Sequence, residues 1–213
     1  MKIVFLGDSI TDAGKREDYR DYSYGHGFLG FIAGELLHED PLKYEIVNRG
    51  ISGNKTVDLY ARLRPHVWNE KPDALSILVG VNDVWHEIVH RNGVSIKRFE
   101  KIYRAIIEET REELPSVQII LCEPFVLEGN ATAEHLSEFA AVKQYAGVVK
   151  ALAEEYGLHF LSLQAPLDAK AKKFPPECWL WDGVHPTRAG AKLIADEWLR
   201  LFKKEIICEE NHG

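Results

Sequence analysis

The chain has 213 residues, of which 46% are hydrophobic and 28% charged, a balance typical of one soluble globular domain with one core. The formal net charge is −7, with no basic stripe, which argues against nucleic acid or an anionic membrane surface as a partner. Cys122, Cys178 and Cys208 lack metal-ligand spacing, so the sequence predicts neither a disulfide framework nor a metal site. No signal peptide precedes the first apolar run and no run is long enough to cross a bilayer, so we expect a cytoplasmic location without membrane association.

The opening residues predict a buried strand that ends in a turn. The run from Ile3 to Leu6 is apolar, and Gly7-Asp8-Ser9 breaks it. In an α/β protein such a turn brings its side chains to the carboxyl edge of the sheet, where these folds bind ligands. Ser9 is therefore aimed at a pocket, although a serine in this place can also act only as a helix cap or turn residue.

The rest of the chain alternates between strand and helix patterns. Apolar runs predict further strands at 44–48, 74–79, 117–121 and 158–163. Apolar residues at helical spacing predict helices near 28–37, 56–69, 99–110, 134–156 and 166–174, and a last helix that Thr187 caps. The polar and aromatic stretch 18–24 is expected to be a surface loop at the rim of the pocket.

Five strands that alternate with helices predict a single α/β domain over residues 1–208. We expect a three-layer α/β/α sandwich with a five-stranded, mostly parallel, flavodoxin-like sheet. Residues 209–213 are expected to form a short disordered tail.

Residues with catalytic chemistry can meet at one edge of this sheet, because the strand-to-helix loops of a parallel sheet emerge together. A serine nucleophile such as Ser9 needs a base within hydrogen-bond reach, and an imidazole supplies one near neutral pH. Asp182 and His185 lie three residues apart on one loop, so a short turn can pair carboxylate and imidazole. The backbone N–H groups of Ser9 and Gly53 and the side-chain amide of Asn82 are suitable in kind to stabilise an oxyanion.

Four sequence blocks occur in the order found in the SGNH, or GDSL, hydrolase superfamily, which the chain resembles along nearly its whole length. The blocks are Gly7-Asp8-Ser9-Ile10, Gly53 within Ile-Ser-Gly-Asn, Gly80-Val81-Asn82-Asp83 and Asp182-Gly183-Val184-His185-Pro186. The resemblance implies that Ser9 is the nucleophile, that Asp182 and His185 complete a triad, and that Ser9, Gly53 and Asn82 form the oxyanion hole. Asp8 would brace the nucleophile turn from behind.

Within that superfamily the stretches 47–54, 82–85, 123–130 and 181–186 look most like bacterial carbohydrate acetylesterases of the acetylxylan esterase type. This resemblance implies a serine esterase that forms an acyl-enzyme on small acetyl esters, such as acetylated xylo-oligosaccharides. It also implies a homo-oligomer that needs no cofactor or metal. Trp85 and Trp181 flank two of the blocks and could stack on sugar rings, although they could equally pack at the sheet edge or in a subunit interface.

Other functions stay open from the sequence. The same triad would suit a lysophospholipase, a thioesterase or a general short-chain acylhydrolase. A flavodoxin-like binding module would use the turn after the first strand as a phosphate or flavin cradle, and fold alone does not exclude it. That turn is not rich in glycine, however, and the Asp182–His185 pair would then have no task.

Overall fold

The computed structural model describes residues 1–16 and 23–208, and its centre is a five-stranded parallel sheet. The strands are β1 (Lys2–Gly7), β2 (Glu45–Gly50), β3 (Ala74–Leu78), β4 (Gln118–Cys122) and β5 (His159–Leu161). Their order across the sheet is β2-β1-β3-β4-β5, and each neighbouring pair is parallel. The predicted five-stranded flavodoxin-like sheet is confirmed.

Helices cover both faces of this sheet. In the described residues they are α1 (Ser9–Asp12), α2 (Phe28–Glu39), α3 (Thr56–Ala61), α4 (Val81–His90), α5 (Ile96–Glu113), α6 (Leu136–Phe139), α7 (Val142–Tyr156), α8 (Gln164–Ala171) and α9 (Arg188–Phe202). Helix α2 packs against α9, whereas α5 packs against both α3 and α7. The three-layer α/β/α sandwich is therefore confirmed.

The core lies between the sheet and its helices. Every residue of β3 is buried, as expected for a central parallel strand covered on both faces. Trp198 of α9 is fully buried, stacks on Phe202 with 4.6 Å between ring centroids, and lies 5.0 Å from the Phe5 ring. Its indole N–H donates to Ser76 Oγ at 3.1 Å, so the polar atom of this large side chain keeps a partner inside the core.

Several helix boundaries differ from the sequence prediction. Helix α4 was missed, although Val81, Val84, Trp85 and Ile88 recur at helical spacing. The helix expected at 56–69 changes after α3 into a π-helical turn at Arg64–Trp68, because Pro65 cannot donate the regular helical hydrogen bond.

The predicted 134–156 helix is also interrupted, between α6 and α7. Phe139 at the end of α6 is fully buried and contacts the Trp85 ring at 5.8 Å, so tertiary packing sets the direction of this short helix. Tyr24, which was assigned to a surface loop, is instead buried at 9% exposure. Most of that predicted loop and the tail 209–213 lie outside the described residues.

Candidate active site

The turn after β1 presents Ser9 at the carboxyl edge of the sheet. Ser9 is the first residue of α1, where a backbone N–H has no acceptor within the helix. The buried Asp8 caps α1 by accepting the Ile10 N–H at 3.0 Å. A Cβ on Gly7 would lie 2.6 Å from the Leu78 carbonyl oxygen, so only glycine permits this close approach of β1 to β3. The Asp8 cap and the close packing at Gly7 thus fix the backbone of the turn that carries Ser9.

A continuous hydrogen-bonded chain joins Ser9 to His185 and Asp182. Ser9 Oγ lies 2.9 Å from His185 Nε2, and His185 Nδ1 lies 2.6 Å from Asp182 Oδ2. The other carboxylate oxygen, Asp182 Oδ1, accepts the backbone N–H groups of Val184 at 2.9 Å and His185 at 2.7 Å. With Nδ1 donating to the carboxylate, His185 Nε2 is left free to accept the serine proton.

The electrostatics of this chain favour a charged aspartate and a basic histidine. The hydrogen bond that His185 donates to Asp182 raises the pKa of His185 above its usual value, although burial opposes this. For Asp182, burial acts to raise the pKa, but the hydrogen bonds from the side chain and backbone of His185 outweigh it, and the pKa is lowered overall. Asp182 is only 4% exposed, so its charge is weakly screened by solvent.

The residues with possible oxyanion donors lie beside Ser9. Gly53, Asn82, Ser9 and His185 line one cavity. Gly53 has φ +81°, in the left-handed region that favours glycine. Asn82 lies in the first turn of α4, is 4% exposed and donates one Nδ2 hydrogen to the Asn54 carbonyl at 3.1 Å. Because an amide nitrogen carries two hydrogens, the second remains for another acceptor.

Two residues that hold the Gly53–Thr56 loop were given no role by the sequence analysis. The first is Asp83, whose carboxylate accepts the Thr56 hydroxyl at 2.6 Å and the Thr56 N–H at 3.2 Å. Burial raises the pKa of Asp83 to about 7, with a further contribution from the nearby carboxylate of Asp8. Burial likewise raises the pKa of Asp8 to about 6.

The second residue is Arg62, which lies behind the turn after β1. Its guanidinium donates to the carbonyl oxygens of Gly7 at 2.9 Å and Arg49 at 2.7 Å, and to Asn54 Oδ1 at 2.8 Å. Burial lowers the pKa of Arg62 to about 10, so it stays charged at neutral pH. One side chain therefore ties the ends of β1 and β2 to the loop that carries Gly53.

A third support lies behind Asp182 and was also missed. The Leu127 N–H donates to the Gly183 carbonyl at 2.9 Å, and the Ala131 N–H donates to the Asp182 carbonyl at 3.0 Å. A Cβ on Gly129 would lie only 2.3 Å from the Gly183 nitrogen. Segment 127–132 thus packs backbone against backbone on the loop that carries Asp182 and His185. A glycine in a loop was the only signal for this contact in the sequence.

Both tryptophans singled out in the sequence contact the His185 ring. Trp181 is 57% exposed and stacks on the imidazole with 5.6 Å between centroids. Trp85 is partly buried and lies 5.9 Å from it in a tilted arrangement. The two indoles line different cavities, and Ser9 and His185 line both of them. The cavity beside Trp181 has a volume of about 250 Å³ and the one beside Trp85 about 520 Å³.

Neither a metal cluster nor a membrane span is found in the part of the chain that the structure describes. Across residues 1–16 and 23–208, no three or more His, Cys, Asp and Glu side chains come together in a way that could hold a metal ion. Within the same ranges no helix combines the length and the apolar character needed to cross a bilayer.

The chain belongs to the GDSL-like lipase/acylhydrolase family, whose model matches residues 5–193, and it is a carboxylic ester hydrolase. An acetylxylan esterase of Geobacillus stearothermophilus is 37% identical over 208 residues, which cover 93% of this chain and 92% of that protein. A crystal structure of that esterase has a TM-score of 0.84 at 35% identity, covering 96% of this chain and 94% of the other. A protein of Parabacteroides merdae, proposed to be a GDSL-like lipase, has a TM-score of 0.89 at 37% identity, covering 94% of each chain.

Family membership excludes one of the alternatives that the sequence left open. The chain is an enzyme, so a binding module that only cradles a phosphate or flavin is excluded. The family resemblance inferred from the four sequence blocks is confirmed, as is the similarity to acetylxylan esterases.

Proposed function

We propose that this protein is a serine esterase that removes acetyl groups from carbohydrates such as xylo-oligosaccharides, with Ser9, His185 and Asp182 as its catalytic triad. The observation that carries the proposal is the hydrogen-bonded chain from Ser9 Oγ through His185 to Asp182. Further support comes from the Geobacillus stearothermophilus acetylxylan esterase, which has catalytic mutants in which a serine, an aspartate or a histidine is replaced by alanine.

In the proposed mechanism, Ser9 Oγ attacks the carbonyl carbon of the acetyl ester while His185 Nε2 accepts the hydroxyl proton. Asp182 stabilises the imidazolium that forms and keeps Nδ1 protonated. The N–H groups of Ser9 and Gly53 and the free hydrogen of the Asn82 amide donate to the oxyanion. When the tetrahedral intermediate collapses, His185 gives its proton to the leaving alkoxide, and the acetyl group stays on Ser9.

Water then completes the proposed cycle. His185 Nε2 accepts a proton from a water molecule, whose oxygen attacks the acetyl-enzyme carbonyl. The same donors stabilise the second oxyanion. When it collapses, His185 gives its proton to the leaving Ser9 Oγ, which restores the hydroxyl, and acetic acid is released and ionises to acetate. Asp8, Asp83 and Arg62 position these groups without contacting the reacting atoms.

Acyl-chain preference separates this proposal from a lysophospholipase, thioesterase or general short-chain acylhydrolase. The rate on p-nitrophenyl acetate, butyrate and octanoate is measured beside acetate release from acetylated xylo-oligosaccharides. We expect the highest kcat/KM on acetyl esters and turnover of the acetylated sugars. An enzyme that is faster on octanoate and inactive on acetylated sugars would contradict the carbohydrate assignment.

The tryptophans provide a second test of the carbohydrate assignment. Replacement of Trp85 or Trp181 by alanine should lower kcat/KM more on acetylated oligosaccharides than on p-nitrophenyl acetate, because only the sugar can use a stacking surface. Equal losses on both substrates would instead indicate that the indoles only support the His185 ring, which both contact.

A further inference from the structure

Helix α4 forms one wall of the larger cavity beside Ser9. Trp85, His86, Val89 and His90 all line this cavity, and their spacing places them on one face of the helix. The proposed mechanism gives no task to His86, Val89 or His90. These residues nevertheless line the same cavity as Ser9.

The chemistry of this wall is mixed. The His86 and His90 rings meet edge to face with 5.6 Å between their centroids. Burial lowers the pKa of His86, and the positive charge of Lys55 acts in the same direction, so this imidazole is neutral at neutral pH. A neutral imidazole carries one hydrogen-bond donor and one acceptor, which is also what a sugar hydroxyl offers.

Apolar groups stand beside these imidazoles. Val89 is 55% exposed, and the partly buried Trp85 lines the same cavity. An acyl chain would favour a wall that is apolar throughout. A pyranose ring combines hydroxyl groups with C–H faces, so it can satisfy both kinds of side chain at once.

The size and position of the cavity also fit the alcohol half of the ester. Its volume of about 520 Å³ lies in the range of small-molecule sites and far exceeds what a two-carbon acetyl group fills. His185 lines the cavity as well. Because His185 protonates the leaving alkoxide in the proposed mechanism, the alcohol must lie on a side that His185 reaches.

We propose that this face of α4 is a glycosyl subsite, in which His86 and His90 hydrogen-bond to hydroxyl groups of the sugar that carries the acetyl ester, while Trp85 and Val89 contact its C–H faces. This inference rests on the proposed acetylesterase function and adds the residues that select the alcohol.

The test compares His86→Ala, His90→Ala and His86→Gln with the wild type. Acetylated xylobiose is the sugar substrate, and p-nitrophenyl acetate is the reference because its leaving group has no hydroxyls. The control is His38→Ala, at an exposed histidine on α2 away from the cavity. The quantity measured is the ratio of kcat/KM on the sugar to kcat/KM on the reference ester, with circular dichroism as a check of folding.

We expect each alanine variant to lower this ratio by about fivefold, the effect of one lost hydrogen bond. His86→Gln keeps a donor and an acceptor and should recover part of the loss, and His38→Ala should leave the ratio unchanged. Equal losses on both substrates, or ratios matching that of the control, would overturn the subsite while leaving the acetylesterase proposal intact. A gain on p-nitrophenyl butyrate relative to acetate in the alanine variants would assign the cavity to the acyl group instead. A wild-type enzyme without activity on any acetylated sugar would remove both proposals.

Discussion

Replacing Gly129 by alanine tests whether segment 127–132 holds the loop that carries Asp182 and His185. The added Cβ would lie 2.3 Å from the Gly183 nitrogen and 2.4 Å from the Asp182 carbonyl carbon, whereas ordinary contacts begin at 3.4 Å. These neighbours are backbone atoms, so the two segments must separate by about 1 Å to remove the overlap. Gly129 does not have a positive φ, so the predicted effect is steric.

A displacement of about 1 Å at a catalytic group can cost on the order of 10²-fold in rate. We therefore expect Gly129→Ala to lower kcat on p-nitrophenyl acetate by about 10²-fold and to destabilise the fold by about 1–3 kcal/mol. The assay is steady-state kinetics together with thermal unfolding. The matched control is Gly147→Ala in α7, where an added Cβ meets nothing within 4 Å.

The control should keep full activity and gain about 0.5–1 kcal/mol, because alanine is the better helix former. A Gly129→Ala enzyme with kcat within about threefold of the wild type and an unchanged Tm would refute the idea that this contact positions the catalytic loop. Loss of stability without loss of kcat would show that segment 127–132 supports the fold but not the site.

Three further predictions follow from the site. Because hydrogen bonding to Asp182 raises the pKa of His185, the acid limb of kcat/KM should have its midpoint above the ordinary histidine value of about 6.5. Asp182→Asn should lower that midpoint and reduce kcat by about 10⁴-fold, and a wild-type midpoint below about 6.5 would contradict the effect ascribed to the Asp182 hydrogen bond. Asn82→Ala should lower kcat by roughly 10²–10³-fold with little change in KM, whereas a pure KM effect would make Asn82 a binding residue. Arg62→Lys should lower both kcat and Tm, since lysine cannot reach the carbonyls of Gly7 and Arg49 together. Arg104→Lys, on the surface, serves as control, and equal kcat and Tm in the two variants would contradict the role of Arg62 in positioning the turn after β1.

The features that the sequence predicted well are those encoded by local patterns. The apolar run before Gly7 predicted β1, and Gly157 ends α7 with φ +61° as expected of a helix stop. Thr187 accepts the Gly190 N–H at 3.1 Å, as predicted for the cap of the last helix. Because all five strands are parallel, residues from distant blocks had to emerge on one edge of the sheet, and their meeting was predictable.

Contacts between distant segments could not be predicted in the same way. Arg62 binds the Gly7 carbonyl from 55 residues away, and no spacing or composition in the sequence marks an arginine that binds distant backbone oxygens. Asp83 follows Asn82 in a recognised block, but its hydrogen bond to Thr56 forms only because the first turns of α4 and α3 lie side by side in the fold. Helix α4, in contrast, could have been predicted from the sequence, because its apolar residues recur at helical spacing.

The central claim, that Ser9 is the nucleophile, is tested most directly by mass spectrometry of the protein after reaction with a fluorophosphonate. Attack by Ser9 Oγ displaces fluoride and leaves a stable phosphonyl group on the serine. We expect one adduct, located on the peptide that contains Ser9, complete loss of esterase activity, and neither labelling nor turnover in folded Ser9→Ala. An adduct on another residue, or wild-type turnover by Ser9→Ala, would contradict the account.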